Sequence, residues 1–164
     1  MNGFPINGVT QCHDGTIQID SAPGCGSPPQ LKQKRSLHIL CIDDDAGVRE
    51  FLSACFTRFN HRVVVASGGK HGLELFRTAT LKHQPYEVVI TDLGMPDIDG
   101  HRVAQTIKAE SPNTPVIMMT GWGTIMSDEE GSAREVDAVV GKPPRIQELN
   151  DLILRITTPA RPRL

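Results

Sequence analysis

Five short apolar runs, rich in β-branched residues and each closing on a polar or glycine-rich stretch, constrain this chain more than any other feature. They are Leu37-His38-Ile39-Leu40-Cys41-Ile42, Arg62-Val63-Val64-Val65-Ala66, Val88-Val89-Ile90, Pro115-Val116-Ile117-Met118-Met119 and Ala138-Val139-Val140. Runs this short that are apolar at successive positions suit strands buried on both faces of a sheet. The segments between them carry helical spacing instead. Val48, Phe51, Leu52, Cys55, Phe56 and Phe59 predict the apolar face of a first helix, with Asp45 as its N-cap. Gly72 to Phe76 lies within a second helix, and Val103, Ala104 and Ile107 face inward from a third that Asp99 can cap. Ser127 to Glu135 reads as a short, acidic fourth helix, and Ile146, Leu149, Leu152, Ile153 and Ile156 as the apolar face of a last one. Strand and helix alternating five times imply right-handed crossovers and a parallel sheet covered on both faces. The expected fold is α/β, a flavodoxin-like (βα)5 three-layer sandwich whose five-stranded parallel sheet has the order 2-1-3-4-5.

Three segments follow from the composition: residues 1–36, 37–157 and 158–164. The first is rich in Gly, Pro, Ser and Asn, and only Gly15-Thr16-Ile17-Gln18-Ile19-Asp20-Ser21 alternates like a short half-exposed strand. It ends in a basic linker with Lys32, Lys34 and Arg35. The last segment is a short tail, and no output domain is expected beyond the last helix. Lys and Arg number 17 against 19 Asp and Glu, a net charge of -2, which argues against a nucleic-acid or membrane surface. No apolar run approaches the roughly 20 residues that span a bilayer, and the start lacks a secretory pattern. The expected location is cytoplasmic. Cys41 and Cys55 read as buried, reduced thiols. Cys12 and Cys25 lack the paired spacing of a zinc site.

In the expected order all strand C-termini open on one edge, where such sheets place their sites. That edge collects Asp43, Asp44, Asp92, Thr120 and Lys142. Several carboxylates crowded together repel one another unless a cation offsets them. Mg2+, a hard ion that takes oxygen ligands, suits that need. A carboxylate beside it is a plausible nucleophile toward phosphorus, with a lysine and a hydroxyl to meet phosphoryl oxygens. Each residue also has a plainer reading: Asp43 and Asp44 as helix N-terminal acids, Asp92 as a turn acid, Thr120 as a turn hydroxyl, Lys142 as a solvated charge. Their shared position at equivalent strand ends favours the site.

The acidic pair Asp43-Asp44, Asp92 with Met95-Pro96 and Asp99-Gly100, Thr120-Gly121 and Lys142-Pro143 together resemble the receiver domain of two-component response regulators, over about Leu37 to Ile156. The resemblance implies that Asp92 is the phosphoacceptor and that Thr120 is the switch hydroxyl. It implies that Lys142 contacts phosphate, and that its bond to Pro143 is cis. It further implies that Mg2+ is held by Asp43, Asp44, Asp92 and the backbone carbonyl of Gly94. The implied donors are a sensor histidine kinase or a histidine phosphotransfer protein. The response is expected on the surface made by the fourth helix, the fifth strand and the last helix, toward a downstream protein target. The stretch His13 to Ser27 resembles the last strand pair of the ATP-binding domain of sensor histidine kinases, which would make this the C-terminal receiver of a hybrid kinase.

Three departures from the receiver pattern stand out. Val139 stands where the family usually has an aromatic residue, Pro144 follows Lys142-Pro143, and Gly94 and Trp122 flank the expected phosphorylation site. Val139 and the weak fourth helix favour a second reading, an interaction scaffold that keeps the fold without signalling through phosphate. An aspartyl-phosphate phosphatase fits poorly, because Gly94 occupies the place of its general acid. A calcium loop at Asp92 to Gly100 lacks its downstream glutamate.

Overall fold

The computed structural model describes residues 35–121 and 136–159. The expected fourth helix, Trp122, the strand-like patch at 15–21, and Cys12 and Cys25 lie outside the described residues. The elements are β1 (His38–Ile42), α1 (Ala46–Arg58), β2 (Arg62–Ala66), α2 (Gly69–Leu81), β3 (Val88–Asp92), α3 (Gly100–Glu110), β4 (Val116–Thr120), β5 (Ala138–Gly141) and α4 (Ile146–Thr157). The strands form one parallel sheet of order β2-β1-β3-β4-β5, as expected.

Because side chains alternate across a strand, each central strand feeds two separate cores. Leu40, Ile42, Val89, Val116 and Met118 pack with α2 and α3 residues such as Phe76, Val103 and Ile107. Ile39, Cys41, Val88, Ile90, Ile117 and Met119 pack with Leu52 and Phe56 of α1 and with Leu149 and Ile153 of α4. Every residue of β3 and β4 is buried. That explains why these strands read as continuous apolar runs rather than alternating ones.

Two expectations about α1 need correction. Phe51 is 46% exposed and Cys55 is only partly buried. The helix advances about 100° per residue, so with Leu52 and Phe56 centred on the sheet, Phe51 is turned well off the buried stripe. The strand ends also extend further than the apolar runs suggest. Asp92, Thr120 and Gly141 are the last residues of β3, β4 and β5. Arg35, expected as a linker charge, pairs with Glu87 and donates from Nη1 to Thr157 O at 3.2 Å. Among the described residues, no helix is long and apolar enough to cross a membrane.

Candidate phosphoryl and cation site

The parallel register brings the C-terminal strand ends level. Ile42 pairs with Ala66 and Thr91, Asp92 with Met119, and Thr120 with Gly141. Asp92 thus ends the β3–β4 pairing while its side chain emerges at the sheet edge, 10% exposed. The chain must turn sharply there, and Gly100 makes that possible. A Cβ at Gly100 would stand 2.3 Å from Asp92 O, so only glycine lets the start of α3 press against the end of β3. Asp99 then caps α3 as predicted, accepting from Arg102 N–H at 2.9 Å. Asp45 caps α1 in the same way, accepting from Val48 N–H at 3.1 Å.

Asp43, Asp44 and Asp92 converge. One carboxylate oxygen from each lies within 4.8 Å of the others. Asp43 is fully buried, Asp92 nearly so, and Asp44 is exposed. Lys142 reaches across from the β5–α4 connection. Its ammonium donates to Asp43 Oδ2 at 2.7 Å and pairs with Asp92 Oδ1 at 2.9 Å. Burial alone would lower the Lys142 pKa, but its bonds to Asp43 and Asp92 outweigh that and hold it above its ordinary 10.5. The plainer reading of Lys142 as a solvated charge is therefore set aside: it is the internal counter-charge for two buried acids. The Lys142–Pro143 bond is cis, in line with the resemblance. Asp43 Oδ1 also accepts from Asp45 N–H at 2.9 Å, so both of its oxygens are engaged.

Thr120 behaves differently. It is 4% exposed, and among the described residues its Oγ1 is the buried side-chain polar atom without a hydrogen-bond partner. An orphaned buried hydroxyl costs free energy, so such groups commonly mark a place where another ligand binds. Gly94 adds no obstruction nearby, since a Cβ there would meet nothing within 4 Å. The donor set fits a hard divalent cation: oxygen ligands only, clustered acids, and space beside them.

The family described as the response regulator receiver domain matches residues 39–154. The chain belongs to this family. The chain is 33% identical over 141 residues to the sensor histidine kinase AtsR of Burkholderia thailandensis, covering 82% of the chain and 22% of that kinase. It is 36% identical over 112 residues to the probable transcriptional regulator ycf27 of Guillardia theta, covering 68% of the chain and 41% of that regulator. Among solved structures, the response regulator TrrA of Thermotoga maritima, described in complex with Mg(2+)-BeF, matches with a TM-score of 0.65 at 27% identity, covering 73% of this chain and 98% of that one. A receiver domain protein of Clostridium thermocellum matches with a TM-score of 0.65 at 27% identity, over 74% of this chain and 94% of that one. The receiver spans less than half the length of these curated relatives. Its matched region is a receiver domain, a signalling module of two-component response regulators.

Sequence reasoning missed two groups that the geometry brings forward. His61 is buried, accepts from Leu37 N–H at Nδ1 (3.1 Å) and bonds Asn150 Oδ1 through Nε2 (2.9 Å), tying the α1–β2 turn to α4. Arg49 bonds the backbone of the acidic pair. Neither belongs to an apolar pattern or to a motif quoted above, so periodicity could not single them out.

Proposed function

We propose that Asp92 is the phosphoacceptor of this receiver and that Asp43, Asp44 and Asp92, with the carbonyl of Gly94, hold Mg2+. The observation that carries this reading is the pairing of one counter-ion with two buried acids, Lys142 between Asp43 and Asp92. An Asp92 Oδ attacks phosphorus in line. The O–P bond forms as the P–N bond to the donor imidazole breaks, and the released imidazole nitrogen takes up a proton. Lys142 then shifts part of its charge from carboxylate to phosphoryl oxygen, and the unpartnered Thr120 hydroxyl donates to another. The bound cation supplies positive charge that offsets the acids and the transferring group.

The donor is a sensor histidine kinase or a histidine phosphotransfer protein, and the recipient of the signal a downstream protein, with no role for nucleic acid or membrane in this chain. Residues 37–157 are the receiver, with 158–164 as a tail. Residues 1–36 are a segment derived from a kinase ATP-binding domain, and the receiver is the C-terminal module of a hybrid kinase in the cytoplasm. The length of the match to the Burkholderia kinase supports this, because it takes in 82% of the chain, more than residues 37–157 supply. Incubation with a small phosphodonor and Mg2+ is expected to add the mass of one phosphoryl group, which Asp92→Asn abolishes. A chain that gains no mass from either a small donor or a phosphohistidine protein overturns the reading.

One observation favours the scaffold as a second reading. Val139 is small and 53% exposed on the edge strand β5, where the family's aromatic residue would turn inward. Amide exchange and partner affinity that stay the same after phosphorylation would select the scaffold.

A further inference from the structure

Arg49 addresses the carbonyl oxygens of three consecutive acidic residues. Its backbone N–H donates to Asp45 O at 3.1 Å, an ordinary helical bond. Its guanidinium Nη1 donates to Asp43 O and to Asp44 O, both at 2.9 Å. The two side-chain bonds grip the peptide planes on either side of Asp44, so together they fix its backbone torsions and the direction of its Cα–Cβ bond. The two acids differ in how much they need this. The Asp43 carboxylate has partners of its own in Asp45 N–H and Lys142 Nζ. Asp44 is exposed, and no hydrogen bond to its carboxylate is found among the described residues. Its aim toward Asp43 and Asp92 therefore rests on the backbone that Arg49 holds.

We propose that Arg49 is a positioning residue for the cation site, fixing the β1–α1 loop so that the Asp44 carboxylate is preset to join Asp43 and Asp92 around Mg2+. This rests on the cation reading above. Groups that orient ligands without touching the metal commonly matter to metal affinity as much as a weak ligand does. The guanidinium has a second, opposing influence, since a positive charge near the site repels a cation. The two influences have opposite signs and can be separated. If positioning dominates, removing Arg49 weakens binding; if repulsion dominates, removal tightens it.

Calorimetric titration of MgCl2 into the full chain tests this, with thermal unfolding in EDTA as the measure of fold. Arg49→Gln is expected to weaken Mg2+ binding about tenfold. The loss should persist in high salt, where a charge effect is screened. Arg49→Lys keeps the charge but ends one bond short of the Nη1 position, and is expected to fall between Arg49→Gln and the parent. A purely structural role would lower the unfolding temperature and leave Mg2+ affinity unchanged. Asp43→Asn, expected to abolish binding, is the control for the site itself. A parent chain that binds no Mg2+ overturns the cation site and this proposal together. A parent that binds, with Arg49→Gln binding as tightly or more tightly, overturns this proposal alone. Should Arg49→Gln not fold, Arg49→Lys decides in the same sense: weaker binding supports the proposal and parent-like binding overturns it.

Discussion

The ends of β1 and β4 lie on the same sheet edge yet differ in how completely their polar atoms are bonded. At the end of β1, both Asp43 carboxylate oxygens, its carbonyl and that of Asp44 all have partners. At the end of β4, the buried Thr120 hydroxyl has none among the described residues. Beyond it, on β5, Val139 is half exposed. The acid-holding half of the site is thus preorganised, so little rearrangement is needed when a cation or phosphoryl group arrives. The β4 end has an unmade bond in reserve, and on the proposed reading a bond still to be made is what can bias a two-state element.

The strongest way to break this contrast is to remove the centre of the bonded half. Lys142→Met leaves Asp43 buried and Asp92 nearly so without their counter-charge. Lys142 itself is 22% exposed, which moderates the loss. Urea unfolding in EDTA is expected to show about 3 kcal/mol of destabilisation. Gly100→Ala should follow, at roughly 1–3 kcal/mol, because its Cβ would collide with the Asp92 carbonyl. Its phosphorylation rate should fall with it, since relief of the clash moves Asp92.

A smaller effect comes from Cys41, two residues before Asp43. Burial, with the Asp43 charge adding to it, pushes its thiol up to about 12. The folded state keeps a proton that the unfolded state releases, so stability from this group is complete below about 9. It is lost as pH rises toward the folded value. Urea midpoints should decline from pH 9 upward and decline less in Cys41→Ala. The smallest effect on stability is expected on the unbonded side. Thr120→Val keeps the shape and removes a buried hydroxyl that has no partner, so no stability should be lost and a gain of up to about 1 kcal/mol is expected. Phosphorylation by a small donor should slow at least about tenfold all the same. A large stability loss in Thr120→Val would erase the contrast between the two strand ends.

Much of this was legible in the residue order. Central strands buried on both faces read as nearly continuous apolar runs, so the bodies of β3 and β4 announced themselves. Asp45 and Asp99 at helix starts were readable because N-caps need a short oxygen side chain at one place. The α1 face was overdrawn at Phe51 and Cys55, since periodicity gives a stripe's direction and not its width. Arg35 read as a linker charge and Arg49 drew no reading at all, because a long basic side chain carries no signal of which carbonyl or carboxylate it will meet.

By itself, then, the sequence determined the order of elements, the collection of acids, hydroxyl and lysine at strand ends, and the family they belong to. Those depend on local spacing and on a topology with few alternatives. Only the tertiary structure decided that Lys142 bridges Asp43 and Asp92, that Thr120 is buried with its hydroxyl unpartnered, and that Arg49 grips the acidic loop. Each depends on ångström-scale distances between residues on different elements, or on the path of a loop. No pattern along the chain encodes these until packing fixes them.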